Sequence, residues 1–593
     1  MIATYAAALA TIVASLAIGQ GVLALCELRR WSWLAPGIGV GLLCAISWAT
    51  VRLPGGGATS AALVGALTVT SVAFLWRRTR GDRQDARTGL AVALLAGAVG
   101  SLPFLVEGHF GILGTGFNPD MSQHLLATAR LADGAEGELF RQGYPLGPHA
   151  VVVALNDGFG IGLVQGFGGL TLAVAVLAPL TALAAFRELP PSRRLLAALL
   201  VGLPYLVASY YDQGSFKETM QALFLLAFVL ALREASRNRE WRDLPLRFVP
   251  AALIAVGSVY VYSFPGLLWL GGALVVWLLL ERPLPVRPLL LALAVFLIGA
   301  LPELGRMIDF QRFETFDPSG PGLGNLFGQL SPFETFGIWP SGDFRLAPGD
   351  GAAPAVVYYL GAAFATALLL YGLAWCWRRR ETTILAGVAA AAGLYVGARI
   401  GGTPYTAAKA LEIAAPLVTL MILFPLLGTD RVWRESGDIG DFRARRPLGI
   451  GVGGLAVVYS GAAAACSLLA FANAPVGPTD YSPALTGLRP LIVADSTLVL
   501  APDRLIDEEQ GERYLAWELR GGRVCIERES EKKAPPPRGV LFVVTSDSTS
   551  RPPFSGFELS RVAAPYLLWE RRRDLPGPGD CPLIAVRQAR QGP

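Results

Sequence analysis

Apolar residues run along this chain in long unbroken blocks, separated by short polar gaps. A membrane-spanning helix needs about 20 mostly apolar residues, too many for an ordinary core strand. Blocks of that kind recur almost from end to end, at about 2–25, 32–50, 59–76, 89–106, 160–186, 194–210, 217–232, 247–262, 265–280, 287–303, 355–375, 382–398, 409–428 and 448–472. The pattern predicts an α-helical polytopic membrane protein with about fourteen spans. The first block has no basic n-region and no small-residue cleavage site before its arginine pair, so it reads as a retained helix rather than a signal peptide.

The polar gaps divide into two kinds. Arginines gather at 29–30, 77–87, 193–194, 233–247, 378–380 and 431–446, always in alternate gaps. Basic residues near span ends mark the cytoplasmic side, and one missed span would break the alternation. Both the amino terminus and the carboxy-terminal segment are then expected outside. The remaining gaps include two long loops, about 107–159 and 304–354, and a tail from about 473. In the tail, short apolar stretches at 491–494, 524–526 and 540–545 read as strands, between polar and proline-rich segments such as 534–538. The expected organisation is 1–88 as added amino-terminal helices, 89–472 as a helical core with its loops, and 473–593 as a small extracytoplasmic α/β or mostly β domain.

Composition agrees with membrane residence. The chain is 53% hydrophobic with 16% charged residues, against about 25% in a soluble domain, and its mean hydropathy is +0.48. The net charge of +5 is spread over the loops and implies no nucleic-acid partner. Arginine far outnumbers lysine, and Ala, Gly and Leu abound, as in a GC-rich bacterium; the expected location is the bacterial inner membrane. Cys525 and Cys581 are the only cysteines of the tail. A disulfide between them and two free thiols are both open readings.

The candidate chemistry lies in the long loops. All three histidines, His109, His124 and His149, fall in the first. Asp120 and His124 are four residues apart in a segment of helical spacing, so they share a face. A carboxylate there can take a proton from a sugar hydroxyl, or hold a divalent cation beside an imidazole. Asp120 followed by Gln123 also reads as a helix cap with its reciprocal partner. His149 closes the turn-rich run Tyr144-Pro145-Leu146-Gly147-Pro148-His149, and either touches substrate or makes an interfacial hydrogen bond.

Lysine is rare, with four in the chain. Lys217 and Lys409 each stand at the start of a span on the expected outer side. A cation at the positive end of a helix dipole is unfavourable by roughly 0.3–1 kcal/mol, so an anion such as a phosphate is expected beside each; snorkelling to lipid head groups is the bland alternative. Ser215-Phe216-Lys217-Glu218 fits a capping box, which makes Glu218 structural, and Asp212 reads as an exposed carboxylate. The second loop mixes Phe310, Phe313, Phe316, Phe327, Phe333, Phe336, Trp339 and Phe344 with Glu314, Asp317, Glu334 and Asp343, a combination suited to carbohydrate. Arg306 and Arg312 open it, and Arg399 reads as part of the same basic rim.

The acidic loop after a span, its loop helix, the second loop and the soluble tail resemble the GT-C superfamily of membrane glycosyltransferases, from about residue 89 onward. The resemblance implies sugar transfer from a polyprenyl-phosphate donor to a glycan, lipid or protein acceptor, with Asp120 at the acidic position. Lys217 and Lys409 suit the donor phosphate, with Arg306, Arg399, His124 and His149 as further substrate-binding candidates. Three spans precede the usual first one, and no DxD or WWDYG-like run is present; no cofactor is fixed, and a divalent cation stays an open reading. A transporter or flippase of lipid-linked saccharide, a polysaccharide polymerase and a non-catalytic assembly subunit are the rival classes.

Overall fold

The computed structural model describes the chain apart from residues 29, 79–80, 119, 136–137, 239–240, 242, 282–283, 312–321, 429–450, 480–481, 493–495, 503–510, 521–522, 532–539, 547–550 and 573–593. Arg312, Phe313, Glu314, Phe316, Asp317, the basic run 431–446, the proline-rich stretch 534–538 and Cys581 therefore lie outside the described residues. Contacts divide the chain into two compact units. One comprises 1–109 with 142–475, and the other 110–141 with 476–593.

The first unit is helical, and every apolar block is a helix or a pair of helices. Among the described residues ten helices are long and apolar enough to cross a bilayer, or eleven if one bent pair counts as a span. The expectation of about fourteen uniform spans is corrected at three places. Ala35–Thr50 has 16 residues. Arg83–Gly100 carries its charged amino end inside the helix and is continued by Leu102–Val106. Pro191–Gly202 and Tyr205–Asp212 meet at 52°, where Pro204 interrupts the run.

The stretch Val249–Leu280 covers two of the predicted blocks. Two helices meet in it at a kink, where Ser263 has φ 59° and ψ −155° and Pro265 follows. A straight helix would put Phe248 and Trp277 about 44 Å apart at 1.5 Å per residue. Their ring centroids lie 5.6 Å apart. The segment is thus a hairpin of two antiparallel limbs, as the blocks 247–262 and 265–280 predict. Its limbs approach closely because Gly266 has no side chain: a Cβ there would lie 2.3 Å from Ser258 Oγ. Gln221 ties them, donating to the Gly266 carbonyl and accepting from the Ser258 hydroxyl.

Small residues set the other close approach. A Cβ on Gly19 would lie 2.0 Å from the Ala35 carbonyl oxygen, and one on Gly39 would lie 1.7 Å from that of Ser15. Ser15 and Gly19, and Ala35 and Gly39, are four apart, the small-residue spacing that lets membrane helices pack backbone to backbone. In the gap before Thr382–Gly401, buried Glu381 accepts from Arg233 at 2.9 Å and Arg237 at 2.6 Å. Burial pushes its carboxyl up, and the two guanidiniums outweigh that and hold it below the usual range.

The second unit is α/β. Strand β1 (Ile112–Leu113) pairs antiparallel with β2 (Val476–Gly477). Strands β3 (Ser496–Ala501), β4 (Arg523–Arg528), β5 (Phe542–Ser546), β6 (Phe557–Ala563) and β7 (Tyr566–Arg571) form a sheet of order β4-β3-β5-β7-β6. Its β4-β3-β5 part is parallel and its β5-β7-β6 part antiparallel. Alternate residues of β3 face opposite ways. Val499 and Ala501 pack with Leu515 of the helix Gly511–Glu518 and with Leu519 just past its end, while Leu498 and Leu500 pack with Phe554 and Trp569. The expected strand at 491–494 is corrected. Arg489–Ile492 is helical, its Ile492 buried in the core beside Leu485 and Leu488, and the strand begins at Ser496. Cys525 is disulfide-bonded.

Candidate functional site

In the second unit the helix Asp120–Ala132 packs against Gly511–Glu518. Its cap is not Asp120. The Asp120 amide donates to the side chain of buried Asn118 at 3.0 Å, which leaves Asp120 in the first turn, partly exposed, where an acid suits the helix dipole. His124 is buried on the same helix, and its carbonyl accepts from Thr128 Oγ1. His109 belongs to the first unit and is exposed, its Nδ1 3.0 Å from the Glu107 carbonyl oxygen.

In the first unit, three of the residues singled out from sequence converge on Tyr144, and a fourth joins them through Glu218. Lys217 Nζ donates to the Tyr144 hydroxyl and lies 4.0 Å from its ring centroid. Arg306 donates to the Tyr144 carbonyl at 2.6 Å and also pairs with Glu303 at 3.3 Å. His149 stands edge-on to Tyr144, with ring centroids 6.3 Å apart. The fourth residue, Lys409, enters through Glu218. Its ammonium lies 2.9 Å from Glu218 Oε1, and Tyr262, 6.0 Å from Lys217 Nζ, donates to the same oxygen at 3.4 Å. Glu218 lies within electrostatic reach of both lysines.

Two sequence readings are corrected. Ser215 makes no side-chain cap bond, and Glu218 is buried against Lys409 instead of capping. Asp212 is 1% exposed, not an open surface acid, with neither carboxyl oxygen partnered among the described residues. Arg399 is exposed in the last turn of Thr382–Gly401.

The local sequence explains the positions. Thr403 caps Pro404–Leu427 reciprocally with Thr406, which fixes the helix start two turns before Lys409. The tip of the 249–280 hairpin supplies Tyr262, while Phe264 packs on Phe310 and Phe310 on Tyr144. His149 is wholly buried among Tyr144, Phe167 and Phe216, and burial lowers its imidazole to about 3. Glu334, in the second loop, is pushed well above the carboxylate range by burial. One further acid escaped the sequence reading. Glu412, three residues after Lys409, is 0% exposed and its carboxyl has no hydrogen-bond partner among the described residues. Among the described residues no three His, Cys, Asp or Glu side chains are grouped to hold a metal.

The chain matches no protein-family model, and it has no match among curated proteins. Among solved structures, the archaeal oligosaccharyltransferase AglB from Archaeoglobus fulgidus, in complex with an inhibitory peptide and a dolichol-phosphate, is similar to it. The similarity covers 77% of this chain and 69% of that chain, at 14% identity and a TM-score of 0.38.

Proposed function

We propose that the chain is an inverting membrane glycosyltransferase that moves a sugar from a polyprenyl-phosphate donor to an acceptor hydroxyl at the outer face of a bacterial inner membrane. The observation that carries this reading is the gathering of Lys217, Lys409 and Arg306 around Tyr144 and Glu218, from three separate helices. The three cations, held by the carboxylates Glu218 and Glu303, support a site for a phosphodiester.

In the proposed reaction Asp120 takes the proton of the acceptor hydroxyl as its oxygen bonds to the anomeric carbon. The bond from that carbon to the phosphate oxygen breaks, and its electron pair leaves with polyprenyl phosphate. One displacement inverts the anomeric carbon. The leaving group gains a second negative charge, and Lys217 and Lys409 act on the charge that develops. His124 is proposed to support Asp120, and His149 and Arg399 to line the substrate path. Incubating the purified protein with a polyprenyl-phosphate sugar and an acceptor glycan tests this reading. Release of polyprenyl phosphate, lost in Asp120→Asn, is expected. Full activity of that variant removes Asp120 from the role of base.

One observation favours a second reading, a carrier of the lipid-linked saccharide: buried Glu412 lies inside a spanning helix, where ionisable residues mark transport pathways. Polyprenyl phosphate released in detergent, where nothing can be transported, decides for transfer.

A further inference from the structure

Buried polar groups in a protein are satisfied by protein, water or ligand. Beside the lysine pair, three are not satisfied by the described residues. Tyr210 and Glu412 are 0% exposed and Gln213 is 1% exposed. The Tyr210 hydroxyl, both Glu412 carboxyl oxygens and Gln213 Nε2 have no hydrogen-bond partner among the described residues.

They belong together. Tyr210 and Gln213 are three apart at the end of the helix Tyr205–Asp212, and so share a face. Tyr210 lies within electrostatic reach of Glu412 and Glu218. Glu412 in turn feels Glu218 and Lys409, and stands one turn beyond Lys409 on Pro404–Leu427. The Gln213 side-chain oxygen is already taken by Asn325, which leaves its amide hydrogens as the donors on offer. Phe344 packs on the Tyr210 ring at 5.4 Å and adds an apolar wall.

The donor and acceptor set selects the ligand. An anion here would lie beside the phosphate that the lysines hold, and the two would repel. A cation would want oxygens on all sides, whereas Gln213 presents N–H groups. A neutral polyol offers O–H donors to Glu412, accepts from Gln213 and does both with Tyr210. We propose that Tyr210, Gln213 and Glu412 form an enclosed subsite for the hydroxyl groups of the sugar carried on the lipid phosphate. This rests on the phosphate reading of Lys217 and Lys409, which puts the sugar one ester bond from the phosphate they hold.

The test compares two probes on the full-length protein in nanodiscs: polyprenyl phosphate, and polyprenyl phosphate bearing a hexose or a pentose. The wild type should bind at least one glycosylated form more tightly than the bare phosphate. In Glu412→Gln that preference should fall by about fivefold, as expected for one hydrogen bond that the amide does not reproduce, with bare-phosphate affinity unchanged. Tyr210→Phe removes one hydroxyl, keeps the ring, and should reduce the same preference. Equal weakening of both probes, or no change in either, overturns the subsite and leaves the three groups to buried water. A wild type that binds polyprenyl phosphate without preferring any glycosylated form also overturns it, while the phosphate reading stands. Failure to bind either probe fails the phosphate reading itself, and the subsite with it.

Discussion

Lys409 and Glu218 form an ion pair with side chains 15% and 5% exposed. Removing one partner of such a pair leaves a buried charge, at about 3–5 kcal/mol. Lys409→Ala should therefore lower both donor affinity and thermal stability, and the single variant cannot separate the two effects. The double variant Lys409→Met with Glu218→Gln should regain most of the melting temperature and still bind polyprenyl phosphate weakly. Recovered binding in the double variant would return Lys409 to a structural role. At His149 the sign is set by burial. The folded imidazole titrates at about 3 and the unfolded one near 6.5, so the unfolded chain takes up the proton first. Stability from this residue is whole above about pH 6.5 and drains as pH falls toward 3, by at most about 5 kcal/mol. His149→Phe, which suits the surrounding rings, should flatten that part of the melting curve against pH. The lysines were legible in sequence because lysine is rare and stood on the wrong end of a helix. Glu218 and Glu412 were not. A local capping pattern covers Glu218, and Glu412 is indistinguishable from any polar residue near a helix start until its surroundings are known.

The element that shapes this end of the bundle is the 249–280 hairpin. Hydropathy alone divides it into two blocks, and Pro265 marks the break, but the strained residue is Ser263. A non-glycine residue in that region costs on the order of 1–3 kcal/mol. Ser263→Gly should raise the melting temperature or leave it unchanged, and Ser263→Val should lower it. If the strain aims Tyr262 at Glu218, the glycine variant should also weaken donor binding; unchanged binding would make the strain incidental. Packing between Ile2–Leu25 and Ala35–Thr50 is a further local device, readable in principle from the spacing of small residues. A side chain at Gly39 would collide with backbone, not with a flexible chain end, so Gly39→Val should abolish folded protein by size-exclusion chromatography. The bend at Pro204 and the helix at 489–492 show where apolar runs mislead, since a run of the same length serves a span, two bent halves or a buried helix face.

At the scale of the molecule the decisive question is which face of the membrane holds the lysine cluster. The charge alternation assumes fourteen crossings, yet the hairpin does not disturb it. Whether its limbs cross or dip, both ends of 249–280 return to one side, and the parity of every later span is kept. The described cysteines suit a labelling test, because Cys26, Cys44, Cys376 and Cys466 are free but buried and Cys525 is disulfide-bonded. A cysteine introduced at exposed Arg399 should react with a membrane-impermeant maleimide in intact cells. One introduced at Arg287, also exposed and next to the end of the hairpin, should react only after the membrane is opened. Labelling of both from outside, or of neither, would break the alternation at the hairpin. Labelling of Arg287→Cys alone would invert the whole chain and put Lys217 and Lys409 in the cytoplasm, where a sugar nucleotide rather than a polyprenyl-phosphate sugar would be the donor to test.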